Sequence, residues 1–192
     1  MSVLDTLIYD RTQEDVDLVK LLNRAGISNM GTYLADFRSG KMKGAYDKDD
    51  LNRVEQAVEY VAAEMAGART ELQSYATSLG VAWDDYYDVP FDPDDYSGVT
   101  VKKNWSVANI PKVADMTRYI NNLKLIQAAY GTAVPLPDSM DCLTFEVANN
   151  IEMMLLRAHE DLQADLALKK QYILSAAESY RSGDIYSGEG VA

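Results

Sequence analysis

The sequence contains one cysteine and one histidine, and each scarcity excludes a class of site. The single cysteine, Cys142, permits neither an intrachain disulfide nor a cysteine-rich zinc site. The single histidine, His159, excludes a histidine-rich metal site and a proton relay between two histidines. Both are interpreted as packing residues, with His159 at the edge of an apolar helix face that includes Leu155 and Leu162. Folding is therefore expected to depend on packing.

Positive charge and long apolar runs are also scarce. The chain has 18 Lys and Arg residues against 30 Asp and Glu residues, a formal net charge of -12. This excess of acid opposes binding to a phosphate backbone or to an anionic membrane surface, so neither nucleic acid nor membrane is an expected partner. No segment approaches the roughly 18 apolar residues that a membrane-spanning helix needs. The protein is expected to be made in the cytosol and to stay soluble.

Motifs that carry chemistry are absent as well. The sequence has no Gly-x-Gly-x-x-Gly fingerprint, no phosphate-binding loop and no nucleophile elbow. A calcium site is conceivable in the acid-rich stretch from residue 84 to 95, because hard cations bind several carboxylate oxygens. However, Ser97 occupies the position that calcium loops give to glycine, and Lys103 occupies the position of the final acid. The sequence therefore predicts no catalytic residue, no cofactor and no metal site.

Hydrophobic residues make up 47% of the chain, enough for a sizeable core, and their spacing predicts helices. Thr12 is a candidate N-cap for a first helix that Gly26 ends. Residues 27 to 46 are predicted to be an irregular connection with one helical turn around "TYLADF".

A long helix is the clearest prediction. Apolar residues alternate at intervals of three and four from Leu51 to Leu79, which is typical of the seam of a helix bundle or coiled coil. Gly67 lies inside this pattern and Gly80 ends it. The seam could pack on the chain's own helices, the favoured interpretation, or on another subunit.

Two further helices follow. Asn109 is the predicted cap of the third, with Pro111 in its first turn and Gly131 after its end. The segment "TAVPLPDSM" is interpreted as a stiff turn into the last helix. In that helix apolar residues recur every eleven positions, a different repeat from the heptads of the earlier long helix. The two long helices are therefore expected to lie together over only part of their length, and the end of the last one to extend beyond the bundle.

Aromatic residues are concentrated between residues 80 and 108, a region predicted to be a loop with at most a small β-hairpin. More large rings occur there than a loop is expected to cover, and rings with polar tips are common in contact surfaces. We therefore predict a protein interface formed by Trp83, Tyr86, Tyr87, Phe91, Tyr96 and Trp105.

Five blocks of the sequence carry a resemblance. They are "TLIYDRTQEDVDLVKLLNRAG", "KGAYDKDDLNRVEQAVEYV", "NWSVANIPKVADMTRYINNLKLI", "PLPDSMDCLTFEVANNIEMMLL" and "RSGDIYSGEG". In this order they resemble a module of phage and prophage tail-region proteins of Gram-positive gut bacteria. The resemblance implies a structural component of a virion and supplies no catalytic residues. Related modules occur within longer polypeptides, so the chain could be a whole subunit or an adaptor domain.

Together these patterns predict a mainly α protein. The expected fold is an elongated helical bundle with two long and two shorter helices, forming one domain over residues 1–182 with a flexible tail over 183–192. The expected function is that of a non-enzymatic phage structural or adaptor protein of the tail or host-recognition apparatus. It would be a homo-oligomer that contacts other phage structural proteins, assembled in the bacterial cytoplasm and then located in the virion. The alternative is a bacterial cytosolic interaction module whose acidic surface binds a basic partner, and an unrecognised hydrolase or metal-dependent enzyme ranks third.

Overall fold

Six α-helices and four short 3-10 turns form the described part of the chain. The computed structural model describes residues 2–39, 42–89, 93–108, 111–130, 133–141 and 143–182, with only the backbone of residues 27, 93, 181 and 182. The helices are α1 (Gln13–Ala25), α2 (Leu34–Arg38), α3 (Lys48–Ser78), α4 (Pro93–Ser97), α5 (Val113–Tyr130) and α6 (Phe145–Ser182). The predicted mainly α fold with two long and two shorter helices is confirmed.

The region from residue 80 to 108 contains no strand in the residues that are described. It holds a 3-10 turn, Asp85–Tyr87, and the single-turn helix α4. The predicted helical turn at "TYLADF" is present as α2 and the 3-10 turn that precedes it. Cys142, the predicted cap Asn109 and the predicted tail over residues 183–192 lie outside the described residues.

Local capping fixes where α1 and α3 begin. Thr12 and Asp15 form a capping box at α1, in which each side chain accepts a hydrogen bond from the other residue's backbone N–H. Gly26 ends α1 with φ at 78°, a conformation that glycine adopts without strain. The predicted limits of α1 are therefore confirmed. Asp47 and Asp50 form the equivalent box at α3.

The start of α5 differs from the prediction. The helix begins at Val113, and the Lys112 N–H donates to the carboxylate of Asp115 at 3.2 Å. Pro111 therefore lies before the helix and not in its first turn. Asp115 stabilises the start of the helix, because its carboxylate accepts this hydrogen bond and also interacts favourably with the helix dipole.

The two long helices run parallel and in constant register. Three contacts between them each join residues 99 positions apart: Arg53 with Glu152, Glu64 with Gln163, and Glu71 with Lys170. The prediction that α3 and α6 share only part of their length is wrong. The reason is that Val54, Met65 and Ala76 are also buried at eleven-residue intervals, so α3 carries the same repeat as α6.

The predicted extension of α6 beyond the bundle is short. Ile173 and Ala177 are 0% and 2% exposed, so α6 stays covered nearly to its end. With the offset of 99, Ala177 lies opposite Ser78, the last residue of α3. Only about the final turn of α6 lies beyond its partner helix.

The third main helix, α5, runs in the same direction. Its beginning contacts the beginning of α3 through Arg118 and Glu55, and its end contacts the middle of α6 through Tyr130 and Asp165. Such an arrangement requires the chain to return along the bundle after α3 and again after α5. A turn between adjacent helix ends cannot make that connection.

Two segments provide these returns. Residues 102–105 run back along α3, where the Lys102 N–H donates to Glu55 and the Trp105 N–H donates to Asn52. Residues 134–138 run back along α5: Gln127 donates to the Val134 carbonyl at 2.6 Å, and Lys124 pairs with Asp138 at 2.7 Å. The prediction of a stiff turn at "TAVPLPDSM" is therefore wrong. Its two prolines favour an extended chain, which suits a return over the roughly 27 Å of an 18-residue helix.

The glycine inside α3 supplies a stability prediction. Gly67 is exposed, and a methyl group added there would meet no atom within 4 Å. Gly67→Ala is expected to raise the free energy of unfolding by about 1 kcal/mol, because alanine loses less conformational entropy in a helix. Urea denaturation followed by circular dichroism measures this change.

Gly44→Ala is the control with the opposite sign. A methyl group at Gly44 would lie 2.0 Å from the backbone oxygen of Asp15, so this substitution should lower the urea midpoint. A lower midpoint for Gly67→Ala would mean that α3 is not a regular helix at that residue.

Candidate interaction surface

Five aromatic residues gather where α3 and α6 end. We name this set the distal cluster: Trp83, Tyr86, Tyr87, Tyr172 and Tyr180. The Tyr86 ring lies 5.3 Å from that of Tyr172 on α6 and 6.2 Å from that of Tyr87, and the Tyr87 ring lies 6.1 Å from that of Trp83. Lys169 donates to the Tyr86 carbonyl at 3.0 Å. The 3-10 turn Asp85–Tyr87 is thus held against α6 by contacts between aromatic rings and by one hydrogen bond.

Two tyrosines of this cluster, Tyr87 and Tyr172, have a raised pKa. Burial raises the pKa of Tyr87, and the neighbouring Asp84 and Tyr180 raise it further. The hydrogen bond and charge interaction with Tyr86 raise the pKa of Tyr172. Neutral phenols both donate and accept hydrogen bonds. Tyr86 is 62% and Tyr180 58% exposed, so both rings are accessible to another molecule.

The six predicted interface residues differ in how far they are exposed to solvent. Tyr86 is exposed, and Trp83 and Tyr87 are partly buried against the core. Tyr96 and Trp105 are each only 4% exposed, so the premise that the region cannot cover its own rings is wrong for these two. Tyr96 lies on α4 and donates to the Leu125 carbonyl at 3.3 Å. Phe91 lies outside the described residues.

Tyr172 and Tyr180 were not among the interface residues predicted from the sequence. Neither belongs to the eleven-residue repeat that places Ile151, Leu162 and Ile173 in the core. An aromatic residue off the buried stripe of a helix is a signal of surface contact, and it was available in the sequence. The distal cluster therefore joins part of the predicted surface to the end of α6.

A cavity of about 650 Å³ lies at the opposite end, beside the start of α3. We name it the proximal cavity. Its apolar lining includes Val19, Phe37, Met42, Leu51, Trp105 and Val107. The indole N–H of Trp105 is buried and has no hydrogen-bond partner in the described structure. Lys102 lies over the face of the same ring, with its Nζ atom 3.7 Å from the centroid.

Charged residues are also buried near the start of the bundle. We name the ionic cluster as Arg11, Asp50, Arg53 and Glu152. Arg11 lies 2.7 Å from Asp50 and 2.6 Å from Glu152, and Arg53 bonds to both acids as well. Two positive and two negative charges balance, and Glu152 is completely buried. Because each carboxylate is held by two guanidinium groups, the arrangement suits a structural tie between segments and does not present a free general base.

Two acids of the aromatic region, Asp84 and Asp88, and the histidine have structural partners. Asp84 accepts the Tyr86 N–H at 2.8 Å, and Asp88 pairs with Arg69 at 2.8 Å. His159 lies between α3 and α6, with Nδ1 3.2 Å from the carboxylate of Glu64. Within the described ranges, no group of three or more His, Cys, Asp or Glu side chains is arranged to hold a metal ion.

Among the described residues, no helix combines the length and the apolar character needed to span a membrane. Comparison with protein-family models, with curated proteins and with solved structures finds no match to this chain.

Proposed function

We propose that the protein is a non-enzymatic structural or adaptor component of a phage particle, belonging to the tail or to its host-recognition end. The observation that carries the proposal is the distal cluster. Exposed rings with polar tips stand together at one end of a long, well-packed bundle, and this combination of rigid shaft and aromatic end suits a protein that connects others. The sequence blocks that resemble phage tail-region proteins support the same role.

The distribution of charge also supports a role in contacts with other proteins. Arg11, Arg53 and Arg118 pair with Asp50, Glu55 and Glu152 inside the protein, so these three positive and three negative charges cancel. The net charge of -12 is therefore carried by the remaining residues. Repulsion between free subunits would then delay association until a specific partner surface is present. The same acidic surface favours the second candidate, a bacterial cytosolic module that binds a basic protein.

Two measurements test the proposal. Mass spectrometry of purified, induced phage particles should detect the protein at a fixed ratio to the other virion proteins. Light scattering of the purified chain mixed with products of adjacent genes should show a complex with at least one of them. The double variant Tyr86→Ser/Tyr180→Ser should weaken that complex, whereas Tyr9→Ser, which removes a ring that is 42% exposed elsewhere, should not.

Absence from the particles together with no complex would overturn the virion role. Capture of a basic cytosolic protein, sensitive to salt, would then place the second candidate first, because exposed charge pairs are screened at high ionic strength.

A further inference from the structure

The chain between Arg11 and Tyr46 is anchored to the bundle at both ends. At one end Asn149 on α6 accepts the Arg11 N–H at 3.0 Å and donates to the Arg11 carbonyl at 2.9 Å. At the other end the hydroxyl of Tyr46 is hydrogen-bonded to that of Tyr119 on α5. The guanidinium of Arg11 lies 5.4 Å from the centroid of the Tyr46 ring. The chain therefore leaves the bundle and rejoins it at two adjacent points.

The segment between these anchors has few polar contacts with the bundle. We name its described residues, 12–39 and 42–45, the lid. Between described residues, the hydrogen bonds and ion pairs of the lid stay within the lid, except for the pair between Lys43 and Asp10. That pair is 43% and 63% exposed, and exposed ion pairs contribute little to stability. Polar contacts therefore shape the lid itself and do little to hold it against α3, α5 and α6.

Apolar contacts hold the lid only weakly as well. Among the lid side chains that are described, Val19, Leu22 and Met30 are the buried ones, whereas Leu21 is 62% exposed. As far as the structure describes it, the contiguous core that α3, α5 and α6 share includes none of these three. Ordering a segment of this length costs conformational entropy at every residue, and three buried side chains offset little of that cost.

Open space separates the lid from the bundle on two sides. The proximal cavity of about 650 Å³ is lined by Val19 of the lid and by Leu51 and Trp105 of the bundle. A second cleft of about 440 Å³ is lined by Val16 of the lid and by Phe145 at the start of α6. Well-packed protein interiors contain few voids larger than a water molecule. The lid is therefore not packed against the bundle as closely as the helices are packed against one another.

We propose that the lid opens as a unit about Arg11 and Tyr46 while the bundle stays folded. Opening uncovers the apolar wall of the proximal cavity that Leu51 and Trp105 form, so a local equilibrium controls access to this surface. The ionic cluster keeps Arg11 in place during the motion. The inference does not depend on the proposed virion role.

Native-state hydrogen exchange of the full chain, followed by mass spectrometry, tests the inference. Opening exposes the α1 amides to exchange, because a helix of 13 residues is marginal without tertiary contacts. These amides should share one level of protection, at least about 100-fold below that of the best protected amides of α3 and α6. Equal protection of α1 and α3 would show that the lid opens only when the whole protein unfolds.

A conservative change in the main core is the sharper test. Ile126 on α5 is fully buried in that core, and Ile126→Val should lower the protection of α3 and α6 by about 2- to 10-fold. The same variant should leave α1 protection unchanged, because the bundle is folded whether the lid is closed or open. A parallel fall in α1 would overturn the inference.

Leu22→Ala is the complementary change within the lid. It should lower α1 protection at least about 30-fold, since it removes most of a side chain that is only 4% exposed. The accompanying fall in α3 and α6 cannot exceed the protection that α1 has in the wild type, because the open state keeps its folded bundle. Unfolding of the bundle in this variant would contradict the proposal.

Fluorescence quenching by acrylamide measures access to the uncovered surface. In a Trp83→Phe background Trp105 is the remaining tryptophan, and it is 4% exposed. Adding Leu22→Ala should make its emission more readily quenched, whereas adding Ile126→Val should not. Unchanged quenching together with loss of α1 protection would show that opening does not uncover Trp105, and would overturn the control of access.

Discussion

Replacing Val58 with aspartate is expected to unfold the protein. Val58 is 1% exposed in the middle of the α3 seam, and its neighbours along the seam, Val54 and Val61, are fully buried. An unpaired carboxylate placed there would either remain charged without water or take up a proton at a cost, in addition to losing the packing of the valine. The total stability of a domain is only about 5–15 kcal/mol, and a buried charge of this kind is among the changes that cost more than about 4 kcal/mol.

Gln56→Asp is the control for this prediction. It introduces the same acid two residues away on an exposed face of the same helix, so its effect should stay near about 0.5 kcal/mol. Far-UV circular dichroism and urea denaturation of both variants provide the measurement. Equal midpoints for Val58→Asp and Gln56→Asp would mean that the seam is not buried.

The sequence predicted the features that depend on nearby residues. Capping residues and glycines located the ends of α1, and the alternation of apolar residues located the buried face of α3. Each of these signals depends on residues within one or two helical turns, so the structure it predicts depends little on tertiary contacts. Pro111 shows the limit of such signals, because a first-turn proline is also compatible with a position just before the helix.

The direction of the helices was not available from these patterns. A buried stripe states which face of a helix is covered, but it is the same for a parallel and an antiparallel neighbour. The eleven-residue repeat of α6 was recognised, yet its match in α3 was hidden because Leu51, Val54, Val58 and Val61 also fit a heptad. The return segments could not be recognised either, since a proline-rich stretch fits both a turn and an extended strap.

The ionic cluster was missed for a different reason. Arg11, Asp50 and Glu152 come from three distant parts of the chain and are each, in isolation, ordinary polar residues near a helix start or on a helix face. Charged side chains are mostly exposed, so sequence patterns favour a position in solvent for all three residues. Only the tertiary structure brings the segment before α1 against α3 and α6 and buries all three.

That cluster leads to the second large prediction, that Glu152→Gln is strongly destabilising. Glu152 accepts the Ile8 N–H at 2.6 Å and also accepts from Arg11 at 2.6 Å and from Arg53 at 2.9 and 3.0 Å. A glutamine keeps the shape but replaces one acceptor oxygen by an amide group that donates. The cluster would then hold two guanidinium groups and one carboxylate. Removing one partner of a buried ion pair costs about 3–5 kcal/mol, and that is the expected loss in the free energy of unfolding.

Glu59→Gln is the matched control. Glu59 pairs with Lys103 on the surface, where the two side chains are 52% and 41% exposed, so its loss should cost at most about 1 kcal/mol. High salt separates the two cases further, because it screens the exposed pair and has little access to the buried one. Urea denaturation at low and at high salt should therefore show a small, salt-sensitive effect for Glu59→Gln and a large, persistent effect for Glu152→Gln.

A double variant shows whether the cost comes from unbalanced charge. Arg53→Met combined with Glu152→Gln leaves Arg11 with Asp50, one charge of each sign. The two substitutions should then cost less together than the sum of their separate effects, with a coupling of about 0.5–3 kcal/mol. Hydrogen exchange at the Ile8 amide adds a local measurement, because that N–H loses a charged acceptor in Glu152→Gln and should exchange faster. Strict additivity with unchanged exchange would show that the cluster does not act as a unit and that the segment before α1 is held by its apolar contacts through Leu4 and Leu7.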